Sequence, residues 1–288
     1  MDFYTAAILQ GLGYAAMGLG IYISLRIFNI PDITTDGSYT FGGVITAVSI
    51  TAGLHPILIL VLCLSGGAVA GICSGLIHTR LKVNALLSGI LVMTALYSVN
   101  LSIMGRSNLP LSDARTIFDL LHFFESSLAN QLLVVVIGIV ILIAFLNWLL
   151  RTDFGISMRA TGNSEQMVRA NGVNTNTMKI MGLAFANALT AFSGYLLVQY
   201  QGFADINMGI GIVISGLAAV MIGEAIAKMS GSRKIVIQII AVVIGSILFR
   251  LILAFTLSMG LNPNYLKLIT SLIVLLVVAL TRFSKVRS

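Results

Sequence analysis

Residues 151–179 read RTDFGISMRATGNSEQMVRANGVNTNTMK, the longest polar, charged run in a chain that is otherwise mostly hydrocarbon. Long apolar segments flank it on both sides, so it joins two membrane spans. Within it, residues 157–170 are expected to form one short amphipathic helix with Arg159, Glu165 and Arg169 on its surface. Gly172 stands where a helix stop is expected, and Asn163 and Asn171 are residue types that close turns. Two readings stand side by side, a docking handle for a partner and an ordinary loop between spans. Connections of this length are uncommon unless they serve a function, which keeps the docking handle in view.

Composition sets the class around that stretch. The 288 residues are 58% hydrophobic and 9% charged, with a mean hydropathy of +1.01. A soluble domain carries roughly 25% charged residues. The chain is therefore expected to be an all-α, polytopic membrane helical bundle forming one domain over residues 1–288. A membrane barrel would alternate apolar and polar residues instead of running apolar for twenty at a time. The net charge of +7 is explained by topology and does not point to nucleic acid. Cys63 and Cys73 share one apolar span, which argues against a disulfide framework or a metal site. The first apolar run is longer than the core of a typical signal peptide and reads as a retained span.

In chain order, residues 3–25 form the first span, closed by Arg26. Residues 29–40, NIPDITTDGSYT, contain Pro31, Asp32, Asp36 and Gly37 and do not fit a regular lipid-facing helix. The apolar run after them, 41–52, is about twelve residues, short of the roughly twenty needed to cross. Residues 29–52 are thus expected to be discontinuous, an irregular segment leading into a half-helix, because irregular backbone at membrane depth must be buried in protein or line a cavity. A solvated loop before an interfacial helix is the alternative. Further spans are expected at 56–78, 85–104, 129–150, 180–200, 209–226, 235–257 and 265–281, with a polar loop at 105–128. Gly67, Gly71 and Gly75 make a stripe that lets another helix approach closely. Trp148 is placed as an interfacial anchor.

Charge placement orients the spans. If residues 151–179 are cytoplasmic, alternation also puts Arg80, Lys82, Lys228, Arg233, Lys234, Arg282, Lys285 and Arg287 inside. Arg106 and Arg115 are then the clear external basic residues, in a loop that also carries Asp113, Asp119 and Glu125, as the positive-inside rule requires. The C-terminus is inside. The count is nine spans if 29–52 crosses and eight if it re-enters; crossing makes Arg26 internal and is preferred. A short echo, Asp32-Ile33 before Gly37 and Asp205-Ile206 before Gly209, opens the reading of an inverted repeat with sites at discontinuous helices.

Catalytic constellations are missing from the sequence. It has no HExxH, no GxSxG, no Cys/His cluster at ligand spacing and no GxxxxGK[ST] phosphate loop, so ATP hydrolysis by this chain through a P-loop is excluded. Asp32, Thr35, Asp36, Gly37, Ser38, Asp205 and Asn207 are the candidates for a substrate pathway. A carboxylate there would suit an amino group, and a helix N-terminus near Gly37 and Ser38 would suit a substrate carboxylate. Arg250 and Lys267 lie in the outer half of the last two spans, where snorkelling and a polar pathway are both open.

Four runs carry a family resemblance: SLRIFNIPDITTDGSYTFGGV (24–44), RATGNSEQMVRANGVN (159–174), MGIGIVISGLAAVMIGEAI (208–226) and the ending FRLILAF (249–255) with NPNYLKLIT (262–270). They resemble permease subunits of bacterial ABC importers, in the tryptophan/tyrosine-type branch of the superfamily containing branched-chain amino-acid and ribose permeases. The resemblance covers about residues 11–281. It implies a homodimer of permeases in the bacterial cytoplasmic membrane, two cytoplasmic ATPase subunits that hold the ATP and magnesium, and an extracytoplasmic solute-binding protein or lipoprotein. This chain would bind no cofactor. Residues 157–172 would take the place of the coupling helix, with Arg159, Asn163, Glu165, Arg169, Asn171 and Gly172 as contacts to the ATPase. An amino acid, aromatic in type, is the favoured solute; a nucleoside or sugar, or an ion-driven transporter without an ATPase, are the alternatives.

Overall fold

The computed structural model describes residues 2–286 apart from 112–114, 125, 230, 232–233, 261 and 263–264, and the side chains of residues 2, 278 and 280–286 are left aside. Asp113, Glu125, Arg233 and Arg287 of the charge pattern lie outside the described residues, and of Arg282 and Lys285 only the backbone is described. The chain is helical almost throughout: α1 (Asp2–Ile21) with a π-turn (Tyr22–Ile27), α2 (Thr34–Thr51), α3 (Pro56–Arg80), α4 (Ala85–Met104), α5 (Ile117–Leu120), α6 (Ser127–Leu149), α7 (Asp153–Asn163), α8 (Glu165–Ala170), α9 (Thr175–Gln201), α10 (Ile212–Met229), α11 (Ile235–Ser258) and α12 (Leu266–Val286). Two short strands, β1 (Asn108–Pro110) and β2 (Phe203–Asp205), pair antiparallel with Leu109 opposite Ala204.

Seven of these helices are long and apolar enough to cross a membrane: α1 with its π-turn, α3, α4, α6, α9, α10 and α11. The chain is a multi-pass membrane protein. The expected half-helix at 41–52 is corrected: the irregular part is confined to about 28–33, and α2 runs unbroken for 18 residues from Thr34. Its polar first turns do not break the helix because they are buried against protein, where Thr40 and Thr46 return their hydroxyls to the carbonyls of Asp36 and Gly42. At 1.5 Å per residue α2 is about 27 Å long. It runs parallel to α9, with Ser38 against Asn187, and antiparallel to α3, with Thr46 against Cys63. α2 and α12 are not among those seven, so the described residues hold seven candidate spans where the sequence reading expects eight or nine.

Three other boundaries move for local reasons. The helix expected at 157–170 is two helices, because Gly162-Asn163-Ser164 are weak helix formers and Ser164 acts as an N-cap, its Oγ accepting from Met167 N at 3.4 Å. α9 begins at Thr175 and not near 180, since Asn174 caps it by accepting from Thr177 N at 3.2 Å. α10 begins at Ile212, after a turn that Gly211 takes in a left-handed conformation (φ +79°).

The core is built around α1 and α9, the two most buried spans. They cross antiparallel, with Ser193 Oγ donating to Gly13 O at 2.8 Å. The packing has an internal correspondence. α1 lies antiparallel on α11, with Gly11 against Ile247, much as α9 lies antiparallel on α3. α2 packs on α3 and α4, and α10 packs on α11 and α12. Asp32 Oδ1 accepts from Thr34 N at 2.9 Å before α2, and Asp205 Oδ1 accepts from Asn207 N at 2.8 Å before α10, so the two short Asp-Ile echoes make the same side-chain turn.

The glycine stripe of α3 is the tightest part of its seam with α9. A Cβ on Gly67 would sit 2.5 Å from Asn187 O, and one on Gly71 would sit 2.1 Å from Leu183 O. These are backbone atoms, so no side chain can swing aside. Gly71→Leu is expected to destabilise the bundle by at least the roughly 1–3 kcal/mol of overpacking and to lower its melting temperature in detergent. An unchanged melting curve would remove the stripe from the packing account.

Candidate functional site

The sequence-selected residues of the 29–40 region converge inside the bundle. α1 ends because Asn29 takes a left-handed conformation (φ +56°) and Pro31 follows it. The chain then turns back, carrying Asp32 into a pocket between α4 and α9. Asp32 is buried; beyond the bond to Thr34 N, its Oδ2 accepts from Asn187 Nδ2 at 2.7 Å. The carbonyl of Asn187, Oδ1, accepts from Ser38 Oγ at 2.7 Å. Thr35 Oγ1 donates to Asp32 O at 3.1 Å. Gly37 faces α4, where a Cβ would meet Met93 Cα at 3.1 Å. The expected helix N-terminus at Gly37 and Ser38 lies instead at Thr34, because the Asp32 turn starts the helix one turn earlier.

Asp36 makes a different kind of contact. Its Oδ2 accepts from Gly211 N at 2.8 Å and its Oδ1 from Val213 N at 2.9 Å. A carboxylate on α2 therefore caps the first turn of α10 from 175 residues away in sequence, meeting orphan N–H groups with the charge that a helix N-terminus favours. Gly209 permits the approach: a Cβ there would lie 2.1 Å from Asp36 O. Residues 206–211 are thus irregular backbone anchored at the buried Ile206 and Gly209, with Asn207, Ile210 and Gly211 exposed. Asp205 and Asn207 stand apart from this cluster. Asp205 lies in the β1–β2 pair, accepting from Asn108 Nδ2 at 3.4 Å, and Asn207 is exposed.

Asn187 went unselected although it is the central member, joining Asp32 to Ser38. Its signal was present, a carboxamide in the middle of an apolar span, where polar groups are costly and find partners. Arg26 and Glu224 were also not paired from sequence. They form an ion pair at 2.7 Å between the end of α1 and α10, beside a hydrogen bond from Tyr22 Oη to Gln238 Oε1. These four side chains and Lys228 line a cavity of about 440 Å³ at the end of the bundle that carries α7 and α8.

At that same end α7 and α8 form an elbow. Met158 and Val168 are buried and anchor it, whereas Ile156 and Met167 point outward, 48% and 55% exposed. α7 is seated on the C-terminal end of α1: Asn29 Nδ2 donates to Gly162 O at 3.3 Å, and a Cβ on Gly162 would overlap Ile27 O. Gly172 has φ +81°, and Asn171 Nδ2 donates back to Met167 O at 2.8 Å. Asn163 ends α7 and is exposed, and Arg159 carries a buried Nε with no hydrogen-bond partner. Glu165 is engaged within the chain by Arg169, Thr175 and Lys179, and Arg169 also donates to Thr175 Oγ1 at 2.8 Å. The hydrogen bond from Lys179, aided by the Lys179 charge, Thr175 and Arg169 against partial burial, holds the Glu165 carboxyl below its ordinary value.

A family model described as "Branched-chain amino acid transport system / permease component" matches residues 3–279. A "Tyrosine transport system permease protein" of Clostridioides difficile is 36% identical over 275 residues, 96% of this chain and 90% of that protein. An uncharacterised protein of Rickettsia prowazekii is 33% identical over 95% of each chain. A "Galactose/methyl galactoside import permease protein" of Escherichia coli is 29% identical over 78% of this chain and 66% of its own length. No solved structure matches.

Two predictions test this geometry. Asp36→Ala removes an N-cap acceptor, a loss of about 0.5–2 kcal/mol, and should speed amide hydrogen exchange at Gly211 to Val213 selectively; unchanged protection there would contradict the capping role. Because the Glu165 carboxyl is held low, its stabilisation is fully present above the unfolded value of about 4.3 and is lost as pH falls through the folded value. Amide protection across α8 should therefore drop on acidification, and Glu165→Gln should flatten that dependence.

Proposed function

The chain belongs to the family of permease components of branched-chain amino acid transport systems, the permease subunits of ABC importers, and from that premise we propose that it forms the solute pathway for an aromatic amino acid. The observation that carries the solute class is the 36% identity, over 96% of the chain, to a permease whose name assigns it to tyrosine transport. In this reading two copies pair in the bacterial cytoplasmic membrane, two separate ATPase subunits bind ATP and magnesium, and an extracytoplasmic binding protein or lipoprotein delivers the solute. The C-terminus and the α7–α8 elbow are cytoplasmic. A sugar is the second reading, favoured by the weaker likeness to the galactoside permease.

The elbow is the docking surface for the ATPase. Its exposed Ile156, Met167 and Asn163 face outward, and Glu165 and Arg169 hold its shape through their bonds to Thr175 and Lys179. Arg159, Asn171 and Gly172 complete the segment. Motion of the elbow has a direct route inward through Gly162 to Asn29, three residues from Asp32 and hence to Asn187 and α2. The ATPase moves the start of α2, and the cap from Asp36 makes α10 follow.

ATP-dependent uptake of radiolabelled L-tyrosine by cells carrying the whole importer tests the reading. Uptake that competes with tryptophan and not with galactose is the expected result. Galactose-competed uptake, or none for any amino acid, overturns the solute class. Glu165→Arg, or a Gly-Ser replacement of residues 157–172, should abolish uptake while the bundle still assembles and the ATPase still turns over; retained uptake would refute the coupling role.

A further inference from the structure

We propose that the cavity between the first turns of α1, the start of α10 and the facing α11 and α12 binds the carboxylate of the transported solute, with Arg250 as the principal contact and Lys267, Gln10 and Ser215 completing the set. The inference rests on the amino-acid reading above and deepens it.

The cavity measures about 380 Å³, within the roughly 300–1,000 Å³ of small-molecule sites. It lies towards the end opposite the α7–α8 elbow, since it is lined by the first turns of α1 and α12 and the last turns of α11. Under the importer reading, that is where solute arrives. Two cations, Arg250 and Lys267, line it, and no carboxylate does among the described residues. The ion pairs among the described residues join other cations, Arg26, Arg169 and Lys179. Arg250 Nε is buried without a hydrogen-bond partner, and its guanidinium carbon lies 3.6 Å from the centroid of the Tyr14 ring. A cation in an apolar bundle is costly unless it meets an anion or water. The ring face meets part of that need, and the planar fork is left with donors suited to a carboxylate.

The rest of the lining fits the rest of an amino acid. Gln10 and Ser215 border the cavity, and no hydrogen bond engages either side chain among the described residues. The Thr270 hydroxyl is committed to Leu266 O at 2.7 Å. Phe3, Leu253 and Leu257 provide an apolar wall for a hydrophobic side chain. Occupancy would also be felt by the broken helices. Tyr14 stacks on Tyr39 with ring centroids 5.9 Å apart, and Tyr39 sits on α2 three residues from Asp36. The anion contact is thereby in line with the cap on α10.

Equilibrium binding to the full chain in phosphatidylcholine nanodiscs tests this, with three probes: L-tyrosine, 3-(4-hydroxyphenyl)propionate, which keeps the carboxylate, and tyramine, which lacks it. L-tyrosine and the propionate should bind, with tyramine weaker by about tenfold or more, the scale of a lost charged hydrogen bond. Arg250→Gln should weaken L-tyrosine by a similar factor and Lys267→Gln by about threefold. Because Arg250→Gln also removes the contact with Tyr14, Lys267→Gln and the tyramine comparison serve where it fails to fold. Equal binding of tyramine, or L-tyrosine affinity unchanged in both variants, overturns the proposal. So does an anionic phospholipid that co-purifies with the wild type, is lost in Arg250→Gln and is not displaced by L-tyrosine, which would assign the cations to a lipid phosphate. Tyrosine uptake by the whole importer separates the two levels: with uptake intact and binding independent of Arg250 and Lys267, the site alone fails, and with no amino-acid uptake the solute reading fails.

Discussion

Two carboxylates inside the bundle hold the places where its helices are interrupted. Backbone N–H groups freed by a break have no water to turn to at membrane depth, and each one left unsatisfied costs several kcal/mol. Asp32 meets this need at the start of α2 through Thr34 N, and Asp36 meets it at the start of α10 through Gly211 N and Val213 N. Asn187, on the buried span α9, ties Asp32 to Ser38 of α2. The interruptions are thus built into the fold, and each is anchored to a helix distant in sequence.

This arrangement gives the molecule a mechanical connection along its length. At one end the elbow rests on Asn29 through Gly162, and the same short segment leads to Asp32. At the other end Arg250 lies over Tyr14, and Tyr14 stacks on Tyr39 of α2. α2 is therefore the element touched from both directions, and its carboxylate at Asp36 caps α10. The Arg26–Glu224 pair adds a second tie between α1 and α10 near the elbow. It is half-exposed, and pairs of that kind contribute about 0–1 kcal/mol, so it adds little to holding the bundle together.

Much of this was legible in the chain because membrane helices announce themselves by apolar length, and the spans of α3, α4, α6 and α11 fall close to where hydropathy puts them. Boundaries set by polar side chains were harder. α2 was cut short because TTDGSYT looks unfit for a span, and only burial against α4 and α9 makes it fit. The sequence reading makes residues 157–170 one helix, while the break depends on a capping hydrogen bond at Ser164 that residue types alone do not reveal. Asp32, Asp36 and Ser38 are substrate-pathway candidates from the sequence, and the fold buries all three. Their partners were not foreseen, since Asn187 and the Gly211–Val213 amides come from segments about 150–175 residues away, and no local pattern links them. The pairing of Glu165 with Lys179 was hidden in the same way, because Lys179 reads as the end of a loop and belongs to the second turn of α9.

The measurement that bears most directly on this account is site-specific cross-linking from the elbow. Met167 is exposed on α8, so a photoreactive residue introduced there in the assembled, transport-competent complex samples whatever docks on it. The account predicts a covalent adduct with the ATPase subunit whose yield changes between nucleotide-free and ATP-trapped states. An assembly that imports its solute while Met167 captures only lipid would contradict the elbow's role as the coupling element.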